Sequence, residues 1–199
     1  MYMAEILYQG HGSFRLTTSQ GAVIYLDPFA GEGYDRPADL VLVSHEHHDH
    51  NEVGLVQLKD QGRVLRAGDF LKDGIYQEIK ACGVKIRGTQ AYNQNHPKDQ
   101  CVGFLIEMDG KKLYFACDTS LTEAMEKELP AEHLDYAFLP IDGVYNMGPE
   151  EASRCAALIG AAHSVPVHMM PGALFDRAAA EKFQAEGRVI KEPGETICW

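Results

Sequence analysis

An α/β fold, a four-layer αββα sandwich, is predicted by three features of the sequence. Short apolar runs of strand length fill the first part of the chain and alternate with helical patterns in the second, which suits two facing sheets with helices outside. Leu40-Val41-Leu42-Val43 is wholly apolar, reads as a buried strand, and runs straight into Ser44-His45-Glu46-His47-His48-Asp49-His50-Asn51. Asp109-Gly110, set between two strand-like runs, is a strong two-residue hairpin signal. No linker or low-complexity tract divides the chain. Its 199 residues suffice for one substantial core, so residues 1–199 are read as a single domain.

In chain order, Ile6 to Leu16 and Val23 to Leu26 read as strands joined at Ser19-Gln20-Gly21. The glycines of Gly10-His11-Gly12 permit a bulge or sharp bend in the first. Phe29 to Pro37, rich in Gly and Asp, is a loop leading to the strand that ends at His45. The spacing of Val53, Leu55, Val56 and Leu58 predicts a short helix whose first turn holds Asp49 and His50. Val64-Leu65 is a further strand, and Phe70 to Cys82 fits either a helix or a hairpin. Val84 to Ala91, Cys101 to Met108, Lys112 to Cys117 and Tyr136 to Ile141 read as strands. Ser120-Leu121-Thr122-Glu123 has the spacing of a capping box, with Pro130 bounding the helix it opens. Gly148-Pro149 starts a helix through Leu158, which Gly160 closes. Val165 to Val167 is a strand ending at His168, a last helix spans Leu174 to Ala185 before Gly187, and Val189-Ile190 and Thr196 to Trp199 read as terminal strands.

Composition narrows the function. Apolar residues at 45% and charged residues at 24% are ordinary for a globular domain. No apolar run approaches the roughly 20 residues of a membrane span. The start, Met1-Tyr2-Met3-Ala4-Glu5, lacks the basic and apolar regions of a signal peptide, so a cytoplasmic location is expected. Five scattered cysteines (Cys82, Cys101, Cys117, Cys155, Cys198) without C-x-x-C spacing read as reduced thiols. A formal net charge of −11 argues against a nucleic-acid partner, which needs a basic face, and favours a small-molecule substrate.

The chemistry concentrates after the buried strand. Four imidazoles and two carboxylates, Glu46 and Asp49, lie within six positions, His45 to His50. Imidazole suits borderline metals, and an interleaved carboxylate compensates charge. His45 and His47, two apart, can share one metal in an extended segment, while Asp49 and His50, past the bend, can reach another. The H-x-H-x-D-H order resembles the metal signature of metallo-β-lactamase-fold hydrolases. Three further strand-end residues complete the set such chemistry needs. Two ions about 3.5–4 Å apart require roughly three ligands each and a bridge. His45, His47 and His96 are read as holding one ion, Asp49, His50 and His168 the other, with Asp118 bridging. This mixed nitrogen and oxygen set suits two divalent ions, Zn first, with Mn or Fe as alternatives.

Within that superfamily the chain looks most like the branch containing ascorbate-6-phosphate lactonase and N-acyl-phosphatidylethanolamine phospholipase D. The resemblance is carried by His11-Gly12-Ser13-Phe14, Asp27-Pro28, Ser44 to Asn51, Ala91-Tyr92-Asn93 with His96-Pro97-Lys98, Asp118-Thr119, Leu139 to Met147, and Pro166-Val167-His168-Met169. It covers nearly the whole chain and implies a hydrolase in which a metal-bridging hydroxide attacks a small lactone, ester or phosphorylated metabolite. Asp49 would orient that hydroxide and take up its proton. The branch usually has Gly before the bridging Asp; here it is Cys117, read as packing like a small hydrophobe. His11 and Asp27 are expected to support the ligands from behind, and Lys98, Tyr145 and Asn146 to face the substrate. His48 is expected to point to solvent or behind the ligands, His133 to lie on the surface, and His163 to be structural. The alternatives are a phosphodiesterase acting on a cyclic nucleotide, lipid headgroup or nucleic acid, a dinuclear-iron redox protein, and a non-catalytic metal-binding protein. Short loops would leave the cleft open unless a neighbouring subunit closes it, so a homo-oligomer is a further expectation.

Overall fold

The computed structural model describes residues 3–199. Met1 and Tyr2, on which part of the leader reading rests, lie outside the described residues. β1 (Glu5–Gly10), β2 (Ser13–Thr17), β3 (Val23–Leu26), β4 (Ala38–Val43) and β5 (Leu58–Arg66) cross the first sheet side by side. Their pairings run antiparallel, antiparallel, parallel, parallel. A short helix, α1 (Ala67–Phe70), and a hairpin, β6 (Leu71–Lys72) with β7 (Ile75–Tyr76), lead to the second sheet. It comprises β8 (Glu78–Ala81), β9 (Val84–Gln90), β10 (Val102–Met108), β11 (Lys111–Phe115), β12 (Tyr136–Pro140) and β13 (His163–Val167). From β9 to β13 the pairings are again antiparallel, antiparallel, parallel, parallel. The chain thus builds two similar halves without a repeat in its sequence.

Parallel neighbours need a crossover, and this is where the halves differ. In the second half the crossovers carry α2 (Glu123–Lys127) and α3 (Pro149–Ile159), followed by α4 (Arg177–Lys182). In the first half they are residues 27–37 and 44–57, which are loops. The second of these contains the His-rich segment. β14 (Thr196–Cys198) closes the circuit by adding antiparallel to β1.

Side chains alternate across each strand, so each sheet has an inner and an outer set. Ile6, Tyr8, Phe14, Leu16, Ile24 and Leu42 face Ile86, Phe104, Leu113, Phe115 and Phe138 in the central core. Leu105, Tyr114, Ala137 and Leu139 pack outward with Met125, Cys155, Ile159 and Phe183 from the helical side. Val23, Tyr25, Val41 and Val43 are covered by Tyr34, Val53 and Val56, so the fourth layer is loop rather than helix. The hairpin at Asp109-Gly110 forms as predicted, with φ of 48° and 80° at the two turn residues, the left-handed pair that lets two residues reverse twisted strands.

Several boundaries differ from the sequence reading. Asp49 and His50 do not open a helix. They lie in a turn closed by the His50 N–H to the His47 carbonyl at 3.0 Å, and only one 3₁₀ turn, Val53–Leu55, follows. That turn buries none of its residues, so nothing rewards a longer amphipathic helix there. Thr122, not Ser120, caps α2 by accepting from the Met125 N–H. Pro130 lies inside a 3₁₀ turn, Leu129–Glu132. The last helix is only Arg177–Lys182, opened by Asp176 and stopped where Phe183, fully buried, turns extended to reach the core. Val189-Ile190 forms no strand; one isolated bridge joins Arg188 to Ser164. Phe70 to Cys82 proves to be a helix end, a hairpin and a strand in succession. Among the described residues no helix is long and apolar enough to cross a membrane.

Candidate metal centre

The C-terminal ends of β3, β4, β11, β12 and β13 all deliver polar side chains to one rim of the sandwich. The β1–β2 turn adds His11 and the loop after β9 adds His96. The chain must leave these strands abruptly. His11, Asp27, Cys117 and His168 accordingly have left-handed backbone, with φ of 55°, 45°, 54° and 46°. Such conformations cost non-glycine residues about 1–3 kcal/mol each and gather at functional sites. Cys117 occupies the position where glycine was expected, and its backbone shows why glycine suits it.

All seven expected donors come together. The donor atoms of His45, His47 and His96 lie within 4.8 Å of one another, with His45 Nε2 and His47 Nδ1 3.1 Å apart. Asp49, His50 and His168 form a second group within the same distance, which His11 joins as a fourth member. The sequence reading placed His11 only behind the ligands; its Nε2 is 3.2 Å from Asp49 Oδ2 and its ring centroid 3.7 Å from that of His168. Asp118 stands between the groups. Its Oδ2 is 3.2 Å from His96 Nε2 and 3.5 Å from His168 Nε2, and its Oδ1 is 3.2 Å from His50 Nε2. His45, His50, His96, Asp118 and His168 are buried, while His47 is exposed and Asp49 part-exposed, so one side of the cluster opens to solvent.

The outward nitrogens settle which atoms face inward. His45 Nδ1 lies 2.9 Å from Ser44 Oγ, His50 Nδ1 2.8 Å from Asp27 Oδ2, and His96 Nδ1 2.9 Å from Asn93 Oδ1. His11 Nδ1 faces the Ala173 carbonyl at 3.0 Å, and His168 Nδ1 lies 3.0 Å from Asp142 Oδ2. At His11, His45, His50 and His96 these acceptors hold the proton on Nδ1 and leave the Nε2 lone pair facing the cluster, whereas His168 Nδ1 makes no hydrogen bond. His50 Nε2, His168 Nε2 and Asp118 Oδ1 are buried there with no hydrogen-bond partner. Lone pairs crowded against a carboxylate call for a cation, so the residues fit divalent metal.

Without a cation the electrostatics divide the donors: His45 stays neutral, whereas His50 favours a proton against Asp118. Burial, followed by the charge of His50, pushes His45 down to about 2 and keeps its imidazole in the neutral, ligating form. Burial disfavours the Asp118 carboxylate, but His50 and His168 outweigh it and hold the group well below its usual range. Burial likewise disfavours charge on His50, yet Asp118 and Asp27 raise it well above its ordinary value. Asp49 is held low against its own burial by the hydrogen bond to His11 and the nearby His50.

Asp27 takes the supporting place expected of it, accepting also from the Ser44 N–H at 2.7 Å and Ser44 Oγ at 2.6 Å. Three supporting residues were missed: Ser44, Asn93 and Asp142. Asp142 carried a signal, since it ends an apolar strand as Asp118 does. The residues expected at the substrate separate. Asn146 is buried and hydrogen-bonds Asn93 and Asp142, so it faces inward. Tyr145 is half exposed, its carbonyl accepting from Asn93 and Asn95. Lys98 lies over the Tyr92 ring and lines a different cleft with Tyr76, Gln90 and Asp99, away from the donors. His48 points to solvent, His133 is exposed, and His163 stacks on Tyr136 at 4.9 Å. Cys117 packs against the central core.

A two-sheet sandwich with a histidine and aspartate cluster at its strand ends has the architecture of the metallo-β-lactamase fold. Residues 5–168 match the family described as the beta-lactamase superfamily domain, and the chain belongs to that superfamily. It is 35% identical to a UPF0173 metal-dependent hydrolase of Methanoculleus marisnigri over 82% of this chain and 80% of the relative. A UPF0173 metal-dependent hydrolase of Methanocorpusculum labreanum is 32% identical, covering 83% of each chain. The fold is also that of Igni18, a metallo hydrolase of Ignicoccus hospitalis, with a TM-score of 0.74 at 24% identity over 100% of this chain and 99% of the other. The chain is a metal-dependent hydrolase of this superfamily.

Proposed function

We propose that the centre holds two divalent ions, zinc first with manganese or iron as alternatives, and hydrolyses a small lactone, ester or phosphorylated metabolite. The observation that carries this is the position of Asp118, within 3.2–3.5 Å of imidazole nitrogens from both donor groups. His45, His47 and His96 would hold one ion, Asp49, His50 and His168 the other, and Asp118 both. Bound there, divalent ions supply Lewis acidity, bringing the pKa of water towards about 7 and polarising the substrate's acceptor oxygen.

The chain's own groups do the rest. Asp49, part-exposed at the mouth, accepts a hydrogen bond from the attacking water and takes its proton. His11 Nε2 lies 3.2 Å from that carboxylate in the same donor group, its ring fixed by Nδ1 donating to the Ala173 carbonyl. Tyr145, exposed and with its backbone carbonyl held by Asn93 and Asn95, would donate to a developing oxyanion. Lys98 has no part in this reading.

Replacing Asp118 with Ala tests the arrangement. The variant should lose one metal equivalent, read by elemental analysis, and most turnover; retention of both ions with full activity refutes it. Turnover of a lactone and carboxylic-ester panel above that of bis-p-nitrophenyl phosphate supports the substrate class, and the reverse order makes the enzyme a phosphodiesterase.

A further inference from the structure

Behind the donors one chain of hydrogen bonds joins His45 to His50, and a second runs from His96 to Asp142, whose carboxylate lies against His168 without a formed hydrogen bond. In the first, His45 Nδ1 donates to Ser44 Oγ at 2.9 Å and Ser44 Oγ donates to Asp27 Oδ2 at 2.6 Å, the oxygen that also accepts from His50 Nδ1 at 2.8 Å. In the second, His96 Nδ1 donates to Asn93 Oδ1 at 2.9 Å, and Asn93 Nδ2 donates to Asn146 Oδ1 at 3.3 Å. Asn146 Nδ2 then donates to Asp142 Oδ2 at 2.8 Å, which lies 3.0 Å from His168 Nδ1.

The chemistry of the second chain explains why a carboxamide stands at its middle. Asn93 presents an N–H, and Asp142, as a carboxylate, can only accept. The residue between them must accept on one side and donate on the other. Asn146 does both, and at 8% exposure it does so out of reach of competing water. An apolar side chain could do neither, and a carboxylate could serve only Asn93.

We propose that Asn146 is a positioning residue that couples the two ion sites, fixing the aim of His96 and His168 together. This rests on the two-ion reading above. Outer partners of metal-bound imidazoles are worth about 10–100-fold in metal affinity. A residue that holds two such partners should therefore act on both sites, whereas each partner alone acts on one.

Stepwise zinc affinities, measured by competition against a chromophoric chelator, distinguish these cases. Asn93→Ala and Asp142→Ala should each weaken one of the two affinities, and Asn146→Ala should weaken both by about tenfold. Asn146→Asp keeps the acceptor for Asn93 but sets a second carboxylate against Asp142, so it should weaken one. Unchanged melting of the metal-free variants confirms intact folding. Should Asn146→Ala not fold, the Asn146→Asp result decides alone: one weakened affinity supports the coupling, and two or none refutes it. Loss of only one affinity in a folded Asn146→Ala, or of neither, overturns the coupling while leaving two ions in the wild-type chain. Fewer than two ions bound by the wild-type chain would overturn the two-ion reading and the coupling with it.

Discussion

Gly12 lies where any side chain would press on the centre, so Gly12→Ala isolates the geometry of His50. A Cβ on Gly12 would meet His50 Cε1 at 3.0 Å and His168 Cδ2 at 3.9 Å. Carbon atoms prefer about 3.5–4.0 Å, so the His50 ring would have to retreat by roughly 0.5 Å. It has little freedom to do so. Its Nδ1 is fixed at 2.8 Å to Asp27, and Asp27 is itself held by the Ser44 N–H and hydroxyl at 2.7 and 2.6 Å. Gly12 does not have left-handed backbone, so no conformational strain confuses the result. Overpacking of this kind costs about 1–3 kcal/mol. In a chain of this length that lowers the melting temperature of the metal-free protein by roughly 2–4 °C for each kcal/mol. Displacing His50 should also weaken one zinc affinity by about tenfold or more, as loss of a supporting contact does. Calorimetric melting in chelator, paired with a zinc competition titration, reads both effects. A Gly12→Ala protein with wild-type melting and both wild-type affinities would show that the ring is free to move, and the packing account of the site would fail.

Cys117→Gly relieves left-handed strain worth about 1–2 kcal/mol but gives up the packing of a small side chain and the lower chain entropy of a non-glycine residue, about 1 kcal/mol each. Stability in urea should therefore stay within about 1 kcal/mol of wild type, whereas Cys117→Val should lose about 2 kcal/mol or more because β-branched residues resist that backbone. A loss above about 3 kcal/mol in the glycine variant would mean that the sulfur makes a bond within the site. The metal-free protein should be most stable near pH 6.5. His45, folded at about 2 against an ordinary 6.5, leaves the unfolded chain binding the extra proton as pH falls below 6.5, at about 1.4 kcal/mol per pH unit. His50 is raised, so its contribution is complete below 6.5 and is lost as pH rises through its folded value. Asp142, lowered to about 2, adds a further loss below about 3.8. Urea unfolding in chelator across pH 5–9 checks this, and stability that kept climbing above pH 7 would contradict it.

The donors were legible because each obeys a local rule. A fully apolar strand such as Leu40 to Val43 has only one way to end in a polar site, and His45 to His50 follow it within one turn. Asp118 and His168 end strands in the same manner. What could not be read locally was which side chains stand behind them. Asn146 sits in a loop, where exposure is the default expectation, and only the fold brings it against Asn93 and Asp142. Lys98, two residues from His96, was carried elsewhere by packing on Tyr92. Helix limits failed for a related reason. Val53 to Leu58 has helical spacing, but only Val53 and Val56 of it pack on the sheet, beside Tyr34. Likewise Phe183 is drawn inward at the point where local preference would have continued the helix.

The twisted backbone at His11, Asp27, Cys117 and His168 has a consequence for the empty enzyme. Four costs of about 1–3 kcal/mol fall on a single rim of a fold whose whole margin is of the order of 5–15 kcal/mol. Without cations to tie the donors, that rim is the natural place for the sandwich to fray, and amide exchange there should quicken long before the far end of the β10–β11 hairpin loosens. Ion capture would then act as a latch on that rim of the sandwich, so that the chain's endurance in a cell follows the supply of metal.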